Sequence, residues 1–94
     1  MFDDSDPNKE AINKGKHGID FKKAQKLWVD LNLLVAQAKE NEGEVRFLNI
    51  GLIDGKYWTA ITTMRGNLIR IISVRRSIQK EVKAYESRRT RSAL

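Results

Sequence analysis

Chemistry in this sequence falls to its cations. There is one histidine, His17, and no cysteine, so thiol catalysis, disulfides, cysteine-based zinc sites and histidine-rich metal sites lack raw material. No catalytic triad, phosphate-cradling glycine loop or Glu-x-x-His pattern is present. What remains is a set of arginines and lysines with aromatic residues nearby. Guanidinium forks bind phosphate bidentately and stabilise the negative charge that builds on a phosphate during transfer. Trp58 and Tyr57 offer rings that stack on bases. Such parts suit RNA binding, or RNA cleavage by the RNA's own 2′-hydroxyl with cationic help. Residue types alone leave a nuclease and a non-catalytic binder of nucleic acid or protein equally open. His17 has two readings as well: a proton shuttle with a pKa near neutrality, or a ring that fixes the turn between Gly15 and Gly18.

The charge is unevenly placed. The chain carries a net +6, yet residues 75–94 alone hold seven basic residues against Glu81 and Glu86, a net of +5. The first 74 residues, with 11 basic and 10 acidic, contribute only +1. A polyanion or an acidic protein is therefore expected at the C-terminal end, where Arg76, Lys80 and Lys83 stand as candidate RNA contacts. A solvated basic tail is the plain alternative. Hydrophobic residues make up 40% of the 94, enough for one core and one small domain spanning 1–94. No apolar run approaches the ~20 residues that cross a bilayer. The acidic start, MFDDSDPNKE, has no apolar stretch of the secretory kind, so the expected compartment is the cytoplasm and no membrane partner is expected.

These side chains need elements to position them. Asp6 as cap, Pro7 at the first helical position and Glu10 in the first turn predict a short helix ending near Lys14, before Gly15. Asp20 caps a second helix, with Phe21, Ala24, Leu27 and Trp28 as its apolar stripe. Leu33–Gln37 reads either as more helix or as a short strand. Glu44–Ile53, Lys56–Met64 and Leu68–Arg75 are rich in strand formers. Asp54-Gly55 and Gly66-Asn67 join them, dipeptides suited to type I′ and II′ hairpin turns. Ser77 is expected to cap a last helix reaching about Ser87, with Ile78, Val82 and Tyr85 on one face and residues 88–94 as a frayed basic tail.

Two-residue turns fix a register. Ile53 then faces Lys56, and Arg65 faces Leu68, which puts Arg46, Thr63 and Arg70 in one cross-strand row. The next rows are Leu48, Ile61, Ile72 and then Ile50, Thr59, Val74, with Trp58 opposite Arg75 on the other face. A one-residue bulge would undo this grouping. Two arginines at the end of an apolar face must reach carboxylates or look into a groove that accepts anions.

The ordered motifs resemble a known family. Asp6-Pro7-x-Lys9-x-x-x-Asn13-x-x-Lys16-His17-Gly18-Ile19-x-Phe21-x-x-Ala24 is similar to the N-terminal signature of the BrnT toxins. Gly43-Glu44-x-Arg46-Phe47, Ile50-Gly51, Thr63-x-Arg65-Gly66, Arg70-Ile71-Ile72-Ser73-x-Arg75, Glu81 and Tyr85-Glu86 follow in the family's order. Two positions depart from the pattern. Ser5 stands where an aromatic usually precedes Asp-Pro, with Phe2 further back, and Gly15 replaces a residue that is often basic or polar.

The resemblance implies an α+β, RelE-like fold: an antiparallel sheet with a central three-stranded meander, N-terminal helices and a C-terminal helix. It also implies a short strand before the first helix and another near Leu33–Gln37. The activity it implies is that of a ribonuclease toxin of a type II toxin–antitoxin pair, which cuts RNA, inhibits translation and uses no cofactor. A BrnA-like antitoxin would neutralise it and bind operator DNA. The candidate catalytic residues are Lys16, His17, Arg46, Arg65, Arg70 and Arg75, with Trp58 as the base-contacting ring. Arg46 and Arg70 rest both on the shared row and on the matched motif. Glu81 is open to pairing with Arg75 or Arg76, and Tyr85 to a place in the core.

Overall fold

The computed structural model describes residues 1–3, 14–40 and 42–92. The helix expected from Asp6 and Pro7 onward lies largely outside them. Its end does not: residues 14–17 are helical, so the helix closes at His17 rather than Lys14. Gly18 ends it in the left-handed region (φ 78°), its N–H bonded to the Lys14 carbonyl at 2.8 Å.

The second helix, α1 (Phe21–Ala24), is capped as its sequence implies. The Asp20 carboxylate accepts the Lys23 N–H at 2.6 Å. The chain then tightens into a 3₁₀ helix over Gln25–Val29, and Phe21, Ala24 and Leu27 form the buried stripe. Asp30 turns the backbone extended, and Leu34–Gln37 is strand β1, which settles the open reading in favour of a strand. The other strands are β2 (Phe47–Ile53), β3 (Lys56–Arg65) and β4 (Leu68–Arg76), forming an antiparallel sheet in the order β1-β2-β3-β4. The strand expected ahead of the first helix is reduced to one parallel bridge, Phe2 to Ile69 at the outer edge of β4.

Both hairpin turns have the expected chemistry. Asp54 and Gly55 take φ 50° and 78°, as a type I′ turn requires, and Gly66 takes 61° as the first residue of a type II′ turn. Ile53 faces Lys56, Arg65 faces Leu68 and Thr63 faces Arg70. Further along, the register departs from simple counting. A bulge leaves Ile72 without a partner, so Ile61 faces Ser73, Thr59 faces Arg75, and Trp58 faces Arg76 rather than Arg75. The expected rows through Ile72 and Val74 are therefore corrected, and Arg75 moves to the face that carries Arg70.

The two faces of the sheet do different work. One face, with Ile53, Trp58, Ala60, Ile71 and Val74, packs against Ile19, Phe21, Ala24 and Leu27, with Phe2, Trp28 and Leu33 at the margin. Gly51 lets this layer close. A Cβ there would lie 3.0 Å from Asp30 Oδ2 and 3.1 Å from a Leu27 methyl. The other face receives the last helix, α2 (Gln79–Ser92). That helix starts two residues after Ser77, whose hydroxyl is spent on Thr59 (2.7 Å) instead of capping. The Glu81 carboxylate reaches back to the Ile78 N–H at 2.9 Å in its place. Of the expected apolar face, Tyr85 is buried, Val82 is half-buried and Ile78 is exposed. Residues 88–92, expected as a frayed tail, continue the helix. Arginine is a good helix former, Arg89 lies 3.6 Å from Glu86, and cations suit the negative C-terminal end.

Tyr85 ties α2 to the edge of the sheet. Its hydroxyl donates to Asp30 Oδ2 at 2.6 Å, and the same oxygen accepts the Leu52 N–H at 3.0 Å. Burial, then the bond to Asp30, pushes the Tyr85 hydroxyl up to about 12. Burial raises the Asp30 carboxyl, but its hydrogen bonds from Tyr85, Leu52 and Asn32 outweigh this and lower it. Tyr85→Phe removes a donor from a half-buried carboxylate and is expected to cost about 1–2 kcal/mol, read as a lower midpoint in thermal unfolding. The wild-type bond, present below the ordinary tyrosine pKa of 10.0, should be lost as pH rises towards about 12. The variant should lack that alkaline loss.

Candidate functional site

The arginines divide into two groups along one face of the sheet. The first group gathers at the end remote from α2. Arg70 sits opposite Thr63, and continuing the β2–β3 register past Phe47 brings Arg46 to the same row. Thr63 is buried and fixes the row by donating its hydroxyl to the Val45 carbonyl at 2.9 Å. Alternation along β3 places Arg65 on this face too.

Carboxylates hold each of these guanidiniums at arm's length. Arg46 Nε lies 3.4 Å from Glu44, Arg65 Nη2 is 3.8 Å from the same carboxylate, and Arg70 Nη1 is 3.7 Å from Asp3, with further contacts of its own. The Met1–Asp3 segment is brought there by its backbone: Ile69 N–H donates to the Met1 carbonyl at 2.7 Å and Asp3 N–H donates to the Ile69 carbonyl at 2.8 Å. The two long, partly exposed contacts to Glu44 are of the weak kind that exchanges readily for another anion. Glu44 and Thr63 also line a shallow depression of about 560 Å³ with Val45, Phe47 and Met64.

The second group is locked. Arg75 makes two parallel hydrogen bonds to Glu81, at 2.8 and 2.9 Å, and Glu81 also accepts the Thr59 hydroxyl at 2.8 Å and the Ile78 N–H. Burial raises the Glu81 carboxyl, but Arg75, Ile78 and Thr59 together carry it down to about 2. Arg75 is raised in turn, chiefly by its bonds to Glu81 and against the cost of burial. Arg75, expected as a catalytic residue, lies in this group with its guanidinium committed to Glu81.

The remaining candidates are scattered. Trp58 is only 9% exposed, inside the core, with the Arg76 guanidinium 5.5 Å from its ring centre. Its ring therefore cannot stack on a base, contrary to expectation. Tyr57 is likewise engaged, edge-on to Tyr85 and donating its hydroxyl to Glu86 at 2.6 Å. Lys80 and Lys83 are exposed on α2. Lys16 is exposed and His17 half-buried in the helical turn before Gly18; among the described residues no hydrogen bond or ion pair joins either to the arginines. The residues that sequence reasoning missed are the acids. Glu44 was within reach of it, since i and i+2 share a strand face and Glu44 stands two before Arg46. Asp3 carried no signal, because its place depends on a bridge to Ile69, 67 positions further on. Among the described residues there is no cluster of acids, histidines or cysteines able to hold a metal ion.

The architecture is thus an α+β domain whose four-stranded antiparallel sheet presents three guanidiniums at one end of one face. Comparison identifies the lineage: the family model for BrnT, the ribonuclease toxin of type II toxin–antitoxin systems, matches residues 6–81. The chain belongs to this family, and membership implies an RNA target and an antitoxin partner. No curated protein matches the chain. No helix among the described residues is long and apolar enough to cross a membrane.

The locked group has a pH signature. Glu81 is held at about 2 in the folded chain against an ordinary 4.5, so its contribution is complete above pH 4.5 and is lost as pH falls towards about 2. Thermal unfolding of the wild type should weaken steeply across that window, and Glu81→Gln should flatten the slope, leaving the smaller part due to Asp30. Arg75→Ala strands a buried carboxylate and is expected to cost on the order of 2 kcal/mol at neutral pH. Urea unfolding monitored by circular dichroism measures it.

Proposed function

We propose that the chain is an endoribonuclease that cleaves RNA and so inhibits translation, acting without a metal ion. The observation that carries this is the convergence of Arg46, Arg65 and Arg70 at one end of one sheet face, the first two held by contacts of 3.4 and 3.8 Å to Glu44 that a phosphate can displace. An RNA phosphate seated there exchanges weak carboxylate contacts for guanidinium forks. The attacking group is the RNA's own 2′-hydroxyl: its oxygen bonds to the adjacent phosphorus as its proton passes to Glu44, and the bond from phosphorus to the 5′-oxygen breaks to leave a 2′,3′-cyclic phosphate. The departing 5′-oxygen takes a proton from water, and the arginines stabilise the charge that builds on the non-bridging oxygens. Displaced from its partners, Glu44 lies among these cations as a carboxylate able to take a proton. Lys16 and His17, on the helical turn before Gly18, are the further candidates for contact with the RNA.

The wider setting follows the family. The protein works in the cytoplasm in a RelE-like frame. A BrnA-like antitoxin neutralises it and binds the operator DNA. The basic residues of α2, Lys80 and Lys83 among them, are the surface for one of the two polyanionic or acidic partners.

The test is cleavage of RNA by the purified chain in EDTA. Arg70→Ala and Arg46→Ala should each slow cleavage about 100-fold, the equivalent of ~3 kcal/mol of lost charge stabilisation, while circular dichroism stays native. Arg70→Lys should restore only part, as a point charge without the fork. Wild-type rates in both folded alanine variants would place the site elsewhere. RNA left intact by the wild type would mark a toxin-like binding module instead.

A further inference from the structure

Among the described residues, only one of the sheet's two edges is closed. At the β4 edge the Met1–Asp3 segment pairs with Ile69 on both sides. At the β1 edge no described strand follows. The bond from Ala38 N–H to the Arg46 carbonyl (2.8 Å) shows which β1 residues serve the ladder. By alternation Leu34 and Ala36 point their backbone groups at β2, whereas Val35 and Gln37 point theirs outward. Val35 is also 53% exposed, unusual for a strand residue of this kind.

Two depressions reach this edge, one on each side of the sheet. On the face shared with α2, Leu34, Ala84, Ser87, Arg88 and Arg91 line a groove of about 460 Å³ whose charge is entirely positive. On the core face a pocket of about 220 Å³, almost wholly apolar, is lined by Trp28, Val35, Phe47, Met64 and Ile69 with Asn49 and Thr62. A strand added to β1 would alternate its side chains between the two.

We infer that the β1 edge is the docking site for an extended, acidic protein segment that adds a fifth strand to the sheet, its residues alternating between acidic and apolar. The acidic side chains meet Arg88 and Arg91, the apolar ones enter the Trp28–Met64 pocket, and backbone bonds to Val35 and Gln37 set the register. Charge selects this occupant over a second copy of the chain, since pairing β1 with β1 would bring together two cationic helix ends on molecules of net charge +6. That the partner is the antitoxin rests on the function proposed above; the edge and its two flanks do not.

The probe is the blocked peptide acetyl-Glu-Val-Glu-Val-Glu-Val-Glu-amide, compared by calorimetry with a peptide of the same composition in blocks, four Glu then three Val. The alternating peptide should bind at least tenfold more tightly, and its affinity should fall with salt. Val35→Pro removes an outward N–H without touching the β1–β2 ladder and should weaken binding at least tenfold while RNA cleavage is unchanged. Arg88→Glu with Arg91→Glu should weaken it as much and remove the salt dependence; these exposed positions carry the test alone if Val35→Pro does not fold. Equal affinity for the two peptides, or folded variants that bind like wild type, overturns the inference. So does self-association in sedimentation that Val35→Pro abolishes, which would give the edge to a second copy. Loss of RNA cleavage with intact peptide binding on charge reversal gives the groove to RNA and overturns it as well. Peptide binding is read without RNA, so a chain that binds as expected but cleaves nothing fails only the nuclease proposal.

Discussion

The buried Glu81 carboxylate organises the structure. It is 7% exposed and accepts from Arg75 on β4, Thr59 on β3 and the first turn of α2. An unpaired charge there would be prohibitive, so the three elements must arrive together. Tyr85, one turn further along the helix, then meets Asp30 and fastens the same helix to the start of β1. From these two carboxylates follow the position of α2, the end of the sheet it covers, and the end it leaves for Arg46, Arg65 and Arg70. Two kinds of ion pairing thereby lie along a single face: bidentate contacts near 2.8 Å join Arg75 to Glu81, and contacts of 3.4 and 3.8 Å join Arg46 and Arg65 to Glu44.

Much of this was legible in the residues. Asp-Gly and Gly-Asn fixed both turns and with them the Thr63–Arg70 pair, because local backbone geometry decides a two-residue hairpin. Asp20 announced its helix in the same way. The Ile72 bulge was not legible: nothing in Arg-Ile-Ile-Ser distinguishes an extra residue from a regular strand until Arg75 has to reach Glu81. Trp58 looked like a stacking platform because composition does not say which face of a strand is covered. The bridge of Phe2 to Ile69 depends on a partner far along the chain, and such partners leave little trace in a local window. The family resemblance, carried by spacing over residues 6–86, indicated the strand near Leu33–Gln37 that periodicity could not decide.

The two edges of the sheet also explain how a small chain with an exposed strand avoids random pairing. One edge is occupied by the chain's own first residues. The other is only four residues long and ends beside Lys39, with arginines of α2 alongside. Shortness and positive charge are common protections for an edge. They also bias which strands can still add.

The bulge at Ile72 carries a further consequence. Arg70 and Arg75 are five positions apart, an odd count that in a regular strand would turn them to opposite sides. The extra residue restores parity and lets one short strand serve chemistry at one end and architecture at the other, on the same side. The parity of the segment therefore depends on that one residue. Without Ile72 the two arginines would stand four positions apart in a regular strand, still on one side, with Arg75 still opposite Thr59. Along this stretch of the gene, in-frame loss of that one codon is the change of length that the ladder absorbs.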